Sequence, residues 1–309
     1  MKYKLWLDEW LENYVKPSAK QKTYIRYRQI IDKHFSCEIG ETELAELTPI
    51  LLQRFITELL ETGNARTGNG LSANSVNIII TVIQNSLQTA YNLGFIDAEI
   101  GGKLKRPKTT EKQISCFTVA EQKQIEQAIL RGSKPKMKGV LLCLYTGLRI
   151  GELLALEWSD VDLTRGELSV TKTCFDGKDK NGVFCRITNT PKTETSIRTI
   201  PIPKQLIPIL KGMKRTAKNS YVISDSEKVL AVRSYQRSFE RLLKKLDISH
   251  KGFHALRHTF ATRALEVGVD VKTLSEILGH KNPNVTLQRY AHSMPEHKKE
   301  MMNKIGKLL

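Results

Sequence analysis

The chain has 309 residues, enough for two domains, since single domains cluster near about 100–200 residues. Lysine and arginine outnumber aspartate and glutamate by 49 to 32, a net charge of +17, which favours a polyanionic partner such as nucleic acid over a merely soluble basic protein. The five cysteines form no C-x-x-C pair and no apolar run reaches the roughly 20 residues of a membrane span, so we expect a reduced, cytoplasmic protein without disulfides, zinc ribbon or membrane segment.

The first hundred residues, 1–100, are predicted to form a helical domain. Apolar residues recur there at three- and four-residue intervals, and they do not alternate with polar residues as in β-strands. Ser18 is expected to cap a second helix that runs to His34. Thr48 is expected to open a third helix and Ser72 a fourth, because serine and threonine are favoured at helix N-caps.

Two groups of cations in this half are candidates for contacts with DNA phosphates. The predicted second helix carries the first group, for which a solvated helix face is the alternative: Lys20, Lys22, Arg26 and Arg28. Glycines and a proline interrupt the helical pattern in 101–116, which we interpret as a basic interdomain linker. It holds the second group, Lys103, Lys105, Arg106 and Lys108. A tether of this charge would lie along DNA and let the two halves clamp a duplex.

Residues 117–309 are predicted to form a mixed α+β domain. Thr118 and Glu121 match a capping box at the start of a helix. Short β-branched segments predict a small antiparallel sheet, with turns at Asp176-Gly177 and Asn181-Gly182; they are 167–173, 183–190 and 195–202. Helices are expected to resume at Lys204. The predicted fold class is therefore mainly α, with a helical first domain and a mixed α+β second domain containing a small antiparallel sheet.

In the segment TGLRIGE, an arginine flanked by glycines, Arg149, lies at the start of a predicted helix. Its guanidinium would bind a phosphate there through two parallel hydrogen bonds. The alternative is a surface arginine paired with Glu152 or Glu157.

A second segment, HALRHTFAT, places a histidine beside another arginine. On a helix His254 and Arg257 are three residues apart and adjacent, which suits proton transfer and anion binding at one phosphate. His254 and His258 are four apart and would also suit a metal site. That interpretation is disfavoured, because the glutamate of an H-E-x-x-H motif is missing and Arg257 would repel the ion.

Two further segments follow closely on one another. In Leu278-Gly279-His280, the glycine is typical of a helix end and leaves His280 pointing outward; a satisfied structural histidine is the alternative. Asn282 and Pro283 predict the cap and first residue of a short helix that presents Tyr290 near its end.

The segments TGLRIGE, HALRHTFAT, LGH and QRYAH, in this order, resemble the tyrosine recombinase family, also called phage-type integrases. The resemblance covers the chain from Phe117 to the end, and the helical first half is similar to the core-binding domain of the family. The insertion at 174–186 and the spacing from His280 to Tyr290 are most like integrases of conjugative transposons. Many integrases begin with an additional arm-binding domain, whereas this chain starts at the core-binding helices.

The resemblance implies a site-specific recombinase that cleaves DNA through a 3′-phosphotyrosyl intermediate on Tyr290, without a metal or nucleotide cofactor. It also implies a catalytic lysine in a β-hairpin turn; Lys192 matches its position, with Lys172, Lys178 and Lys180 as neighbouring alternatives. The implied catalytic set is Arg149, Lys192, His254, Arg257, His280 and Tyr290. Glu152 and His258 are implied as supporting residues.

The implied partners are double-stranded DNA and further copies of the chain, monomeric when free and tetrameric in a synapse, with an excisionase or a host DNA-bending protein as additional factors. Such a protein is expected to associate with the nucleoid. An amphipathic tail, 295–309, is expected to dock on a neighbouring protomer or to cap its own. Two other functions compete: a type IB topoisomerase that reseals the same strand, and a non-catalytic DNA-binding protein with decayed motifs.

Overall fold

The structure is a computed structural model, and it describes residues 1–36, 38–64, 67–109, 115–132, 134–178, 183–189, 197–224, 230–290, 302–303 and 306. The chain divides into two compact units, Met1–Lys112 and Gln113–Leu309. Helices predominate, and short antiparallel strands lie in the second unit, so the predicted fold class is confirmed. No helix within the described ranges is both long enough and apolar enough to cross a bilayer.

The first unit is built of helices joined by short turns. A π-helical stretch, Leu11–Val15, continues the first helix, and 3-10 turns occupy Leu44–Glu46 and Gly101–Lys103. The α-helices are α1 (Tyr3–Trp10), α2 (Lys16–Ser18), α3 (Gln21–His34), α4 (Glu38–Glu41), α5 (Pro49–Glu61) and α6 (Ala73–Asn92). Their core is apolar and contains Trp6. The indole N–H of Trp6 donates to the Ser86 carbonyl at 3.1 Å, so this buried polar group has a partner.

Local capping explains where α5 and α6 begin. Thr48 Oγ1 accepts from the Leu51 amide at 3.2 Å and Ser72 Oγ accepts from the Ser75 amide at 3.3 Å, which confirms both predicted caps. The expectation for Ser18 is wrong. Its hydroxyl donates back to the Tyr14 carbonyl at 2.6 Å, because the preceding helix continues through it, and α3 begins only at Gln21.

The first residues of the predicted linker pack against α6. Gln84 Nε2 donates to the Gly101 carbonyl at 3.1 Å, and the Leu104 side chain is buried in the core of the first unit. Apolar burial therefore extends the first unit beyond the glycines at which the linker was predicted to begin. Residues 110–114 lie outside the described residues.

The second unit combines helices with two small sheets. Its helices are α7 (Val119–Arg131), α8 (Lys138–Thr146), α9 (Ile150–Ala155), α10 (Ile207–Arg215), α11 (Val232–Lys245), α12 (His254–Glu266), α13 (Val271–Leu278) and α14 (Pro283–Tyr290). Its strands are β1 (Val161–Asp162), β2 (Glu167–Val170), β3 (Thr173–Lys178), β4 (Phe184–Asn189) and β5 (Arg198–Pro201). The capping box at Thr118 and Glu121 is confirmed, with bonds of 3.1 and 2.7 Å.

The strands pair antiparallel, as predicted, but in two sheets. One has the order β1-β2-β5, with Leu168 opposite Ile200, and the other is the β3-β4 hairpin, with Cys174 opposite Thr188. The segment predicted as one strand over 167–173 is thus divided between both sheets.

The prediction of a turn at Asp176-Gly177 is wrong, because both residues lie inside β3. The Asp176 carboxylate accepts from the amides of Val232 and Arg233, each at 2.8 Å, and so caps the N-terminus of α11. An Asp-Gly pair is typical of turns because its aspartate side chain often bonds to nearby backbone. Here the carboxylate instead bonds to a helix end that is distant in the chain. The other predicted turn, Asn181-Gly182, lies outside the described residues.

Candidate active site

Arg149 is placed by the tight connection between α8 and α9. Gly147 ends α8 with a φ of 67°, and a Cβ there would lie 2.6 Å from Phe260 Cδ1, so both backbone and space require glycine. Two residues later, Arg149 precedes the first residue of α9, with its side chain partly exposed. Its Nη1 donates to Glu152 Oε1 at 2.7 Å, and its backbone amide donates to Oε2 at 2.9 Å.

Glu152 is buried and also pairs with Arg198, a residue that the sequence analysis did not identify. Arg198 Nη2 lies 3.0 Å from Glu152 Oε2, with side-chain exposures of 7% and 4%. Arg198 Nε also donates to the Ile277 carbonyl at 2.6 Å, near the end of α13. Strand alternation could have indicated this residue, since Arg198 and the buried Ile200 are two apart and point to the same face of β5.

The Glu152 carboxylate stays ionised inside the unit. Burial alone would raise its pKa, but the hydrogen bonds and charge of Arg198, together with the charge and backbone amide of Arg149, outweigh burial and hold the pKa below its ordinary value. The carboxylate therefore fixes two arginines from different parts of the chain. The predicted alternative, pairing of Arg149 with Glu152, is observed, and it orients Arg149 within the cluster.

Arg257 lies on α12 with only 2% of its surface exposed. Its Nη1 donates to the Gly147 carbonyl at 2.8 Å, and its Nη2 donates to the Leu278 carbonyl at 2.7 Å. Both acceptors lie at helix ends, where carbonyls have no partner within their own helix. The buried guanidinium therefore joins α12 to the C-terminal ends of α8 and α13.

His280 follows α13 at the residue after a left-handed glycine. Gly279 has a φ of 64°, as the predicted helix end requires. The His280 Nε2 lies 2.9 Å from Arg257 Nη2, and its Nδ1 lies 2.7 Å from Thr286 Oγ1. Arg149 Nη2 is also 3.5 Å from the Gly279 carbonyl. Three of the four motifs therefore meet at one place.

His254 and His258 lie on the first turns of α12. The His254 side chain is exposed, and its ring meets that of His258 edge to face, with centroids 4.6 Å apart. Helical spacing puts His254 beside Arg257 on the same helix. In the described part of the chain, no cluster of three or more histidine, cysteine, aspartate or glutamate side chains is arranged to hold a metal ion.

The helix that carries Tyr290 is formed as predicted. Asn282 Oδ1 accepts from the Asn284 amide at 2.8 Å, Pro283 is the first helical residue, and Tyr290 is the last residue of α14. The side chain of Tyr290 lies outside the described part of the structure.

The predicted catalytic lysine, Lys192, also lies outside the described residues, as do Lys180 and the side chain of Lys178. The remaining alternative, Lys172, is described. Its Nζ pairs with Glu157 Oε2 at 2.9 Å, and this hydrogen bond raises the pKa of Lys172.

The described cluster is suited to binding an anion. It holds the three guanidinium groups of Arg149, Arg198 and Arg257 and the single carboxylate of Glu152. Arginine binds phosphate through paired N–H donors, so a net positive cluster with a partly exposed arginine favours a phosphate ligand.

Comparisons with known proteins agree for both units of the chain. Residues 110–297 match the phage integrase family, and residues 2–60 match the N-terminal SAM-like domain of phage integrases. The chain is 30% identical to a XerC-like tyrosine recombinase of Caldanaerobacter subterraneus subsp. tengcongensis, over 98% of this chain and 82% of that protein. It is 28% identical to the ICEBs1 integrase of Bacillus subtilis, over 94% of this chain and 79% of that protein.

Solved structures share the fold. The Tn1549 transposon integrase, in complex with a circular intermediate DNA, superposes with a TM-score of 0.79 at 20% identity, covering 99% of this chain and 100% of that one. The lambda integrase, as a tetramer bound to a Holliday junction, gives 0.68 at 23% identity over 92% of this chain and 78% of that one. The family profile covers most of the chain and three of the four motifs meet in one cluster, so the chain belongs to the phage integrase family and is a tyrosine recombinase, an enzyme that breaks and rejoins DNA strands.

Proposed function

We propose that this recombinase cleaves DNA by attack of Tyr290 on a backbone phosphate, which leaves a 3′-phosphotyrosyl bond and a free 5′ hydroxyl. The supporting observation is that Arg149, Arg257 and His280, from three separate motifs, converge on one cluster. The phosphoryl group passes from the DNA 5′ oxygen to the phenol oxygen, and the reverse step joins it to a different strand. Bond energy is conserved, so no nucleotide is consumed.

The arginines would stabilise charge on the phosphate oxygens as phosphorus becomes five-coordinate. In such sites one preorganised donor contributes about 10²–10³ in rate. Arg257 is held rigidly by two carbonyls, and Arg149 by Glu152, so neither side chain has to be ordered when DNA binds. His280 would add a hydrogen bond to the same phosphate.

Two groups would move protons. His254, exposed in the first turn of α12, would help to take the proton of Tyr290, and Lys192 would donate a proton to the leaving 5′ oxygen. Glu152 would act through Arg149, and His258 through its ring contact with His254. Both are supporting residues in this scheme.

Exposed cations in each unit would contact DNA phosphates. In the first unit these are Lys20 just before α3, Lys22 and Arg26 on α3, and Lys103, Lys105 and Lys108 farther along the chain. Two other predicted contacts, Arg28 and Arg106, are engaged within the unit: Arg28 pairs with Asp8 and Glu12, and Arg106 bonds to Asn77, Thr81 and Gln84. In the second unit, α11 presents three exposed arginines one turn apart, Arg233, Arg237 and Arg241.

Joining different DNA strands requires more than one protomer, so we propose that the chain assembles into a tetramer on DNA. The support is the lambda integrase tetramer on a Holliday junction, whose fold this chain shares. The tail over 295–309, which falls almost entirely outside the described residues, would dock on a neighbouring copy. An excisionase or a host DNA-bending protein would act on the same assembly, which would associate with the nucleoid.

The experiment is covalent capture on a nicked suicide DNA substrate, in which the short fragment with the free 5′ hydroxyl diffuses away and the protein stays attached to the 3′ phosphate. Wild-type protein should accumulate as a protein–DNA adduct in the presence of EDTA, since the proposed chemistry uses protein groups alone. Tyr290→Phe should bind the duplex and form no adduct. Tyr91→Phe, at an exposed tyrosine of the first unit, is the matched control and should form the adduct normally. An adduct that persists in Tyr290→Phe would reject the proposal.

A further inference from the structure

Thr286 is a buried residue on the otherwise exposed start of α14. Its side chain is fully buried, whereas 283–285 and Leu287 are exposed. The helix therefore meets the rest of the second unit through Thr286 at this point. No catalytic or supporting role was assigned to this threonine from the sequence.

The hydrogen bonds around His280 define which way its protons point. A guanidinium has donors and no acceptor, so Arg257 Nη2 donates to His280 Nε2 across 2.9 Å. In the neutral ring the proton must then be on Nδ1, which donates to Thr286 Oγ1 across 2.7 Å. Arg257 thus sets the tautomer, and the threonine hydroxyl accepts from the Nδ1–H and fixes the ring orientation.

Thr286 also lies one helical turn before Tyr290 on the same helix. Four residues of α-helix span ~6 Å, so the hydrogen bond to His280 anchors α14 close to the nucleophile. We propose that Thr286 is a positioning residue that holds the Nδ1–H of His280 and thereby ties the phosphate-binding histidine to the helix of Tyr290. This inference rests on the proposed roles of His280 and Tyr290.

The hydrogen bond suits both states that His280 would pass through. When a phosphate arrives and the ring takes up a proton from solvent, Nε2 would stop accepting from Arg257 and would donate to the phosphate, while Nδ1 keeps its proton and its bond to Thr286. The acceptor therefore orients the ring before and after DNA binds. Loss of the hydroxyl would leave the Nδ1–H without its acceptor and would let the ring and α14 shift.

The experiment compares two substitutions that separate the hydrogen bond from the packing. Thr286→Val keeps the shape and removes the acceptor, and Thr286→Ser keeps the hydroxyl. Single-turnover cleavage of the suicide substrate at saturating protein should fall ~10–100-fold in Thr286→Val, as for other partners that orient a functional histidine, and Thr286→Ser should recover most of the rate. DNA affinity should not change. Thr216→Val, at the exposed end of α10, is the control for the chemical change.

A spectroscopic measurement separates this inference from the proposed function. In the free protein, ¹⁵N chemical shifts of the His280 ring should report a protonated Nδ1 in wild type and in both variants, because Arg257 donates to Nε2. Exchange of that Nδ1–H with water should be slow in wild type and Thr286→Ser, and fast in Thr286→Val, which lacks the acceptor. An unchanged exchange rate with an unchanged cleavage rate in Thr286→Val would overturn the inference, and so would a loss of cleavage that serine does not restore. Failure of wild-type protein to form the Tyr290 adduct would instead reject the proposed function, and the exchange rate would still decide whether Thr286 holds the Nδ1–H of His280.

Discussion

Arg198 and Glu152 form a buried ion pair between β5 and α9, although 46 positions separate them in the chain. The same carboxylate holds Arg149, and the same guanidinium holds the Ile277 carbonyl near the end of α13. The pair therefore connects the strand, the helix of the first motif and the turn that leads to His280. This relationship gives the cluster its rigidity, and several consequences can be measured.

The ion pair should show strong energetic coupling. Glu152→Gln and Arg198→Met should each lower the free energy of unfolding by about 3–5 kcal/mol, because each leaves its partner buried and uncompensated. The loss of unfolding free energy in the double variant should be clearly smaller than the sum of the losses in the two single variants. The measurement is a double-mutant cycle by urea denaturation, and additive losses would show that the two side chains do not depend on each other.

The pH dependence of stability should carry the signature of Glu152. Its pKa in the folded protein lies below the ordinary 4.5, so the unfolded chain takes up the proton first as the pH falls. The contribution is fully present above about pH 4.5 and is lost as the pH falls through the folded pKa. The stability difference between wild type and Glu152→Gln should therefore be constant near neutral pH and narrow in acid. A difference that widened in acid would contradict the direction of the shift.

Arg257→Lys should abolish most cleavage while DNA binding persists. Lysine cannot reach the carbonyls of Gly147 and Leu278 together with His280, because it lacks the planar fork of arginine. We expect a single-turnover cleavage rate lower by about 10²–10³, and a free energy of unfolding lower by about 1–3 kcal/mol from the unpaired carbonyls. A rate within tenfold of wild type would show that the fork is dispensable.

Gly147→Ala should be more damaging than the same change at Gly268. Both glycines have a left-handed backbone, with φ of 67° and 91°, so each substitution should cost about 1–2 kcal/mol from the backbone alone. At Gly147 the new methyl group would also meet Phe260 and Leu278, whereas a Cβ at Gly268 meets no atom within 4 Å. Thermal unfolding of the two variants should differ accordingly, and equal shifts would mean that Phe260 moves aside without penalty.

Arg26 and Arg28 provide a matched test of the DNA-binding surface, since both lie on α3. Arg26 is exposed, whereas Arg28 forms two ion pairs: its Nη1 lies 2.6 Å from Asp8 Oδ1, and its Nη2 lies 2.7 Å from Glu12 Oε1. Arg26→Ala should reduce the slope of log affinity against log salt by about 0.9, the value for one phosphate contact. Arg28→Ala should leave the slope unchanged and reduce thermal stability. The opposite result would mean that Arg28 leaves its carboxylates when DNA binds.

Features that depend on neighbouring residues were predictable from the sequence. The capping box at Thr118, the cap at Ser72 and the start of α14 at Asn282 each need only a few adjacent residues, and all three are present. Ser18 shows the limit of this reasoning. A serine can cap a new helix or bond back to the preceding turn. Ser18 bonds back to Tyr14, because the preceding helix extends as far as Ser18.

The sequence by itself determined the family and the order of its motifs, because these are properties of residue type and spacing. Only the tertiary structure decided how the arginines of these motifs are held and that Arg198 joins them. The pairing of Glu152 with Arg198, the burial of Arg257 against two helix ends and the contact of Arg257 with His280 join segments that are distant in the chain. A buried charge is stable only where partners converge on it, and that convergence depends on packing between segments distant in the chain.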